Sequence, residues 1–346
     1  MSRAIELAGR AVATVLPNPV VGCVLLAPDG PTVGEGWHQR YGGPHAEVNA
    51  LTAAGPAARG ATAVVTLEPC NHTGRTGPCS QALIAAGVSR VVVANRDPWA
   101  PAAGGLETLR AAGVDVVTGV LADAAADMNR VWLGGVAGRR PFVTFKAGIT
   151  VDGRVAAADG TSRWITSAES RADVHLLRQR VDTMLVGVGT VLADDPLLTV
   201  RDTDGVPLPT QPLRVVADSH GRTPAQARVR NAHAPTWVAT AAEVGVDAAG
   251  RLDLVALLHR LYESGQRHVL LEGGPRLAAA FLDLGLVDEV VVYLAPKLLG
   301  AGRSAVEGGA VNTLADVHHL ELREVVRIGP DLKLRYSANA GGLPEH

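Results

Sequence analysis

His45 and Glu47 stand two residues apart just after Gly42-Gly43-Pro44, and Cys70, behind Pro69, is followed by Cys79. One imidazole and two thiolates make a sound tetrahedral zinc shell whose fourth position is left to water. A carboxylate beside that shell adds a proton carrier. Two residues apart on a regular helix do not share a face, so His45 and Glu47 can serve one site only from a helix tip. The stretch HAEVNALTAAG predicts a helix stopped by Gly55, with both residues in its first turn. From there the histidine can bind an ion while the glutamate reaches the water on it. Two thiolates cancel the charge of zinc, so the ion acidifies water less than a three-histidine site would, and the carboxylate must take the proton. Helix N-termini help to hold Cys70 and Cys79 as thiolates. The chemistry these groups suit is hydrolytic attack on an amidine-type ring carbon with loss of ammonia. The zinc-deaminase signature is H-x-E followed by P-C-x-x-C; here eight residues separate the two cysteines. Cys23, inside VVGCVLL, reads as strand core.

The elements that must position these groups alternate. Residues 5–16 predict a helix ending before Pro17, then VVGCVLLAPDG and Val33 to Trp37 predict two strands around Asp29-Gly30. ATAVVTLEP, VSRVVVAN and VDVVTGV are further strands, with SQALIAAG and LETLRAAG as helices between them. This is the pattern of an α/β sandwich with a partly parallel sheet. ADAAADMNRVWLGGVAG predicts one more helix, leading into Arg139-Arg140-Pro141, where a domain boundary is placed: residues 1–140 and 141–346. In the second part PFVTFKAGIT, DTMLVGVGT, LRVVADS, TWVAT, HVLLEGG and EVVVYLAPKLL predict strands, and LREVVRIG with LKLRYS a closing hairpin. RADVHLLRQR, RLDLVALLHRLYESG and GPRLAAAFLDLGL predict helices, which makes a second α/β domain with a mixed sheet. The tail AGGLPEH is expected to fray.

The second part offers a phosphate site rather than a nucleophile. Gly187-Val188-Gly189-Thr190-Val191-Leu192 lacks the third glycine of a dinucleotide fingerprint. Glu272-Gly273-Gly274-Pro275, however, ends a strand and opens a helix, and glycine-rich backbone at a helix N-terminus cradles phosphate.

The 346 residues suit about two domains. A hydrophobic content of 47% and a net charge of −2 without basic blocks describe a packed protein with no nucleic-acid footprint. No apolar run is long enough to span a bilayer. Three cysteines and no secretory segment point to a reducing compartment, with the cytoplasm as the expected location.

NPVVGCVL, GEGWHQRYGGPHAEVNAL, ATAVVTLEPCNHTGRTGPC and RDPWAPAAGGL resemble the deaminase half of the bifunctional riboflavin-biosynthesis deaminase/reductase family. KAGITVDGR, WITS, GVGTVLADDPLLTVR, LEGGPRLA and APKLLGAG resemble its reductase half, in the same order over nearly the whole chain. The resemblance implies an N-terminal cytidine-deaminase-like α/β sandwich and a C-terminal dihydrofolate-reductase-like mixed-sheet α/β domain. It implies zinc-dependent hydrolytic deamination of 2,5-diamino-6-(5-phosphoribosylamino)pyrimidin-4(3H)-one, then NADPH reduction of the product's ribosyl chain to ribityl. By resemblance His45, Cys70 and Cys79 are the zinc ligands and Glu47 the proton shuttle, while Asn18 and His38 contact the pyrimidine and His72 and Thr76 line the pocket. Ile149, Trp164, Thr190, Asp194, Ser219 and Gly274 match cofactor positions. Ser162, Arg178, Leu198, Arg201 and Glu272 match substrate positions, the two arginines as forks for the phosphate. Lys146, Asp194 and Glu272 are all candidates for the reductase's proton donor. The family also suggests a homo-oligomer assembled through the reductase half.

Two other readings compete. One is a zinc deaminase of another base or nucleoside with an inactive reductase-like domain, against which the intact second-half motifs count. The other is a zinc-stapled scaffold without turnover, which would ordinarily show four protein ligands where only three are found.

Overall fold

Short runs of β-branched residues punctuated by alanine-rich helices build each half of this chain, seen here in a computed structural model that describes residues 1–11, 15–74, 76–202 and 204–338. The chain divides into Met1–Arg139 and Arg140–His346. The first unit runs α1 (Ser2–Gly9), β1 (Gly22–Leu26), β2 (Thr32–Trp37), α2 (Ala46–Ala54), β3 (Thr62–Leu67), α3 (Cys79–Ala85), β4 (Arg90–Asn95), α4 (Gly105–Ala111), β5 (Asp115–Thr118), α5 (Ala122–Met128) and α6 (Arg130–Gly138). Its five strands take the order β2-β1-β3-β4-β5, with β1 antiparallel to both neighbours and β3, β4 and β5 parallel. Parallel strands covered on both faces become uniformly apolar, as Ala63, Val64, Val65, Val91 and Val93 are here, all buried.

The approach of α2 to this sheet is unusually close. Ala46, Ala50 and Ala54 line one buried face of the helix and meet Gly34 and Gly36 on β2. A Cβ on Gly36 would overlap the Ala46 carbonyl oxygen, so only glycine admits the helix there. Small residues on both sides set the height of α2, and with it the position of the side chains at its tip.

The second unit runs β6 (Phe142–Thr150), β7 (Arg154–Ala156), α7 (Ala168–Arg178), β8 (Thr183–Gly187), α8 (Val188–Asp194), β9 (Leu213–Ala217), β10 (Thr236–Ala239), α9 (Ala241–Val244), α10 (Leu254–Glu263), β11 (His268–Glu272), α11 (Pro275–Asp283), β12 (Glu289–Ala295), β13 (Arg303–Ser304), β14 (Glu321–Ile328) and β15 (Asp331–Ser337). Its eight-stranded sheet has the order β10-β9-β8-β11-β6-β12-β15-β14. The strands from β10 to β12 are mutually parallel, and the β14–β15 hairpin joins antiparallel. Helix α10 packs on it with Leu254, Leu257, Leu258 and Leu261, a helical stripe of buried leucines. In open parallel sheets ligands bind beyond the carboxyl ends of the strands, which here brings Glu272, Gly187 and Ala217 toward one rim.

Three boundaries depart from the sequence expectation. The first helix covers Ser2–Gly9 instead of 5–16, and residues 12–14 of that expectation lie outside the described residues, as does the tail 340–346. The single helix expected over 122–138 is two, α5 and α6, broken at Asn129. Asn129 is buried and its carboxamide accepts from Val20 N at 2.8 Å and donates to Val20 O at 2.8 Å, so it pairs with a passing strand-like segment. The strand expected over DTMLVGVGT ends at Gly187, where α8 begins, because the apolar run continues unchanged from one element into the next. The small β7–β13 sheet and the short α9 were also not anticipated.

Candidate active sites

In the first unit His45 is the N-cap of α2, with extended backbone (φ −73°, ψ 165°), and Glu47 lies in the first turn. Cys79 opens α3, and Cys70 follows the end of β3. The eight-residue loop between the cysteines is folded back on itself. Cys79 N–H donates to Cys70 Sγ (3.4 Å), Ser80 N–H donates to Cys70 O (3.2 Å), and Ser80 Oγ donates to Asn71 Oδ1 (2.8 Å). His45 Nδ1 lies 3.5 Å from Cys70 Sγ and 3.3 Å from Cys79 Sγ. All three donor atoms fall within 4.8 Å of one another. Ordinary Zn–N and Zn–S bonds at a tetrahedral angle put nitrogen and sulfur about 3.5 Å apart, so the donor set fits a zinc ion. Cys23 is buried in β1, outside this cluster.

The electrostatics suit proton transfer. Burial first, then the neighbouring Cys70, pushes the Glu47 carboxyl up to about 7. The two thiols contest one proton: hydrogen bonding from Cys79 pulls Cys70 down to about 4, while Cys79 is pushed up. Asn18 and His38 are brought beside the cluster. The His38 ring packs edge-on to that of His45 at 5.3 Å. Pro44 O, which can only accept, lies 3.1 Å from His38 Nδ1, so that nitrogen carries the proton and Nε2 accepts from Asn18 Nδ2 at 3.3 Å. The Asn18 carbonyl oxygen is left available. Burial lowers the His38 pKa and keeps the ring neutral. His72 packs edge-on to Trp99 with its Nδ1 buried and unpartnered, and Thr76 caps the same loop through its carbonyl; Arg75 lies outside the described residues.

Sequence reasoning missed the acidic pair beneath this loop. Glu68 is buried and accepts from the N–H groups of Asp97, Gly104 and Leu106, which ties β3 to the start of α4. Burial pushes Asp97 up to about 6. A Leu-Glu-Pro-Cys string gives no sign that its glutamate faces inward.

In the second unit Gly273 (φ 91°) and Gly274 (φ 81°) lead into α11, and a Cβ on Gly273 would stand 3.2 Å from Thr190 Oγ1. Bare backbone, a helix start and a hydroxyl therefore meet at one point, a cradle that fits a pyrophosphate. Asp194 ends α8, and its carbonyl takes a hydrogen bond from Arg163, next to Trp164. Trp164 is exposed, with the Arg171 guanidinium 4.3 Å from its ring centre. Ser219 follows β9 and accepts from Ala241 N–H. Ile149 packs against the core from β6, and Ser162 is joined to none of these groups by a hydrogen bond.

The two arginines differ. Arg178 donates from Nε and Nη2 to both oxygens of Glu272 (2.7 and 2.9 Å) and from Nη1 to Thr199 O (3.3 Å). Lys146 Nζ reaches the same carboxylate at 3.5 Å. Burial opposes the charge on Glu272, but Arg178 and Lys146 overcome it and hold the carboxyl well below the usual range. Arg201 makes no side-chain hydrogen bond or ion pair among the described residues, and its Nε is buried without an acceptor. Of the two forks expected for a phosphate, Arg201 alone is unspent, because Glu272 already fills the other. Leu198, three residues away, is buried with φ 50°.

Residues 141–334 match the family model described as the RibD C-terminal domain. Residues 1–95 match the cytidine and deoxycytidylate deaminase zinc-binding region. The riboflavin biosynthesis protein RibD of Escherichia coli is 44% identical over 357 aligned residues, covering 96% of this chain and 97% of that protein. The protein of the same name from Mycobacterium tuberculosis is 45% identical, covering 96% and 95%. Among solved structures, Acinetobacter baumannii RibD superposes with a TM-score of 0.85 at 39% identity, covering 97% of each chain. A diaminohydroxyphosphoribosylaminopyrimidine deaminase/5-amino-6-(5-phosphoribosylamino)uracil reductase from Thermotoga maritima does so with 0.86 at 34% identity, covering 98% and 97%.

Proposed function

The chain belongs to the RibD family of bifunctional riboflavin-biosynthesis enzymes, and from that premise we infer that its two units perform successive reactions on one phosphoribosylated pyrimidine. It is a deaminase and a reductase. The first unit hydrolyses the 2-amino group of 2,5-diamino-6-(5-phosphoribosylamino)pyrimidin-4(3H)-one. The second reduces the ribosyl chain of the resulting 5-amino-6-(5-phosphoribosylamino)uracil to ribityl. The deaminase domain is taken as residues 1–140 and the reductase domain as 141–346, one residue from the division of the two compact units at Arg139 and Arg140.

The convergence of His45 Nδ1, Cys70 Sγ and Cys79 Sγ beside Glu47 carries the first assignment. His45, Cys70 and Cys79 would hold zinc, which would supply Lewis-acid activation of the attacking water. Glu47 takes the proton of the attacking water and returns one to the departing amine, and a carboxyl near neutrality suits both directions. Asn18 offers its carbonyl oxygen to a ring N–H, and neutral His38 holds the carboxamide in that orientation.

In the second unit NADPH would supply the hydride for the ribosyl carbon. Gly274, Thr190 and the start of α11 would hold its pyrophosphate, with Ile149, Trp164, Asp194 and Ser219 as further cofactor positions. Arg201 takes the substrate phosphate, with Ser162 and Leu198 as further substrate positions. A carboxyl held far below neutrality is a poor acid, so Glu272 orients Lys146 and Lys146 gives the proton. Arg178 acts through Glu272. The unit self-associates along β14, an edge strand exposed on both faces with Leu322, Val325 and Val326 outward; sedimentation should give a dimer or larger. The free cysteines, two of them as ligands, suit a reducing cytoplasm. No described helix is long and apolar enough to cross a membrane.

A coupled assay tests the whole reading. With the diaminopyrimidine ribotide, ammonia should appear first and NADPH oxidation should depend on it. NADPH oxidation by the undeaminated ribotide at equal rate would reject the sequence of steps.

A further inference from the structure

The carboxyl ends of β6 and β11 gather more positive than negative groups. Arg178 and Lys146 share Glu272, and Arg201 has Arg178 and Arg228 as charged neighbours with no acid of its own among the described residues. Both Arg201 Nε and the Thr199 hydroxyl are buried without partners. Unmet buried donors in one short segment call for an acceptor that the described residues do not provide.

His175 stands three residues before Arg178 on α7, so the two share a face. The backbone N–H of Arg201 donates to His175 Nδ1 at 3.4 Å. A ring nitrogen that accepts carries no proton, which leaves the proton of the neutral ring on Nε2. That N–H has no partner among the described residues, although it lies in a half-buried side chain. Burial, then Arg178 and Arg201, push the ring's pKa down to about 4, so it is uncharged at neutral pH. A neutral donor can sit beside the Arg178 and Arg201 guanidinium groups and the Lys146 ammonium where another cation would be repelled, and it adds direction to a site that otherwise offers only charge.

We propose that His175 donates its Nε2–H to the phosphate of the reductase substrate, closing with Arg201 an anion site from which Arg178 is withheld by Glu272. The inference rests on the reading that Arg201 takes that phosphate. It adds a positioning and specificity role to a residue that no motif singles out, and it explains why Arg201's backbone is tied to α7.

The full chain should be assayed with 5-amino-6-(5-phosphoribosylamino)uracil and with its dephosphorylated riboside. His175→Ala should raise KM for the phosphorylated substrate about 10- to 100-fold, the range for losing a hydrogen bond to a charged group. The kcat and the constants for the riboside should stay close to those of the parent. His175→Gln, whose amide N–H can stand near the lost Nε2–H, should recover most of the affinity. Ammonia release and KM for NADPH certify folding; should the alanine variant fail there, His175→Phe keeps the ring volume without the donor and gives the same comparison. Equal losses on both substrates in the folded variant, or no loss on either, would overturn the proposal. Arg201→Ala separates the two levels: discrimination between the substrates lost there but kept in His175→Ala sinks the proposal alone, and discrimination kept in both sinks the phosphate assignment itself.

Discussion

Glu47 is nearly sealed from solvent at the tip of α2, and burial, with Cys70 beside it, raises its carboxyl toward neutrality. Glu47→Gln keeps the shape and removes the proton carrier. Ammonia release should fall about 10²- to 10⁴-fold, while elemental analysis finds zinc unchanged, since none of the three donors is altered. Release within a few-fold of the parent would take Glu47 out of the reaction. These residues were legible because their types are restrictive: few pairings of imidazole, thiols and carboxylate at helix and strand ends do anything but hold a metal. Asn18 and His38 carried weight only through resemblance; the structure pairs them beside the cluster, with the Pro44 carbonyl fixing the tautomer. Glu68, Asp97 and His175 were illegible, since each owes its meaning to a backbone N–H or charge brought near by folding.

At the scale of elements, Asn129 shows how a helix break serves a site on another segment. Its carboxamide makes two hydrogen bonds to Val20, on the connection that carries Asn18. Asn129→Ala should cost about 1–3 kcal/mol, the penalty for leaving buried backbone groups unpaired. It should also raise KM for the diaminopyrimidine with zinc content unaltered; denaturant titration and steady-state kinetics measure the two effects. The break was invisible because no proline or turn pair marks it and both flanking segments form helices. Helix α7 is bound to β11 by a stronger tie. Arg178 holds Glu272 through two short bonds, and Arg178→Ala leaves a buried carboxylate with Lys146 alone, at a cost of about 3–5 kcal/mol at pH 7. The sign with pH follows from the depressed carboxyl. Its folded pKa lies below the unfolded value near 4.5, so its stabilisation is present above that value and is lost as the pH falls through the range below it. The gap between parent and variant, read from amide exchange in β11, should therefore be full at pH 7 and shrink below pH 4.5. A gap that stays constant to pH 3 would mean the ion pair contributes nothing.

For the whole molecule, strand–helix alternation was enough to expect a partly parallel sheet in the first unit and a mixed sheet in the second, because parallel strands need crossovers and the sequence provides them. Strand order was not readable, since β11 inserts between β8 and β6 by contacts distant in sequence. The order matters to function: it sets Lys146 on β6 opposite Glu272 on β11, which no spacing rule links. Each unit also closes hydrophobic clusters of its own, around Leu25, Val65 and Leu83 in the first and around Leu185, Leu257 and Phe281 in the second. Every donor of the metal cluster lies in the first unit, and none of the reductase groups is a metal donor in that cluster. Chelation should therefore split the two activities. Exhaustive treatment with a zinc chelator should abolish ammonia release, by about the 10²-fold or more that loss of an activating ion entails. NADPH oxidation with 5-amino-6-(5-phosphoribosylamino)uracil supplied directly should persist at its original rate. Re-addition of zinc should restore the first reaction without touching the second. Parallel loss of both would show that the reductase depends on the metal after all, and parallel survival would remove the ion from the deamination.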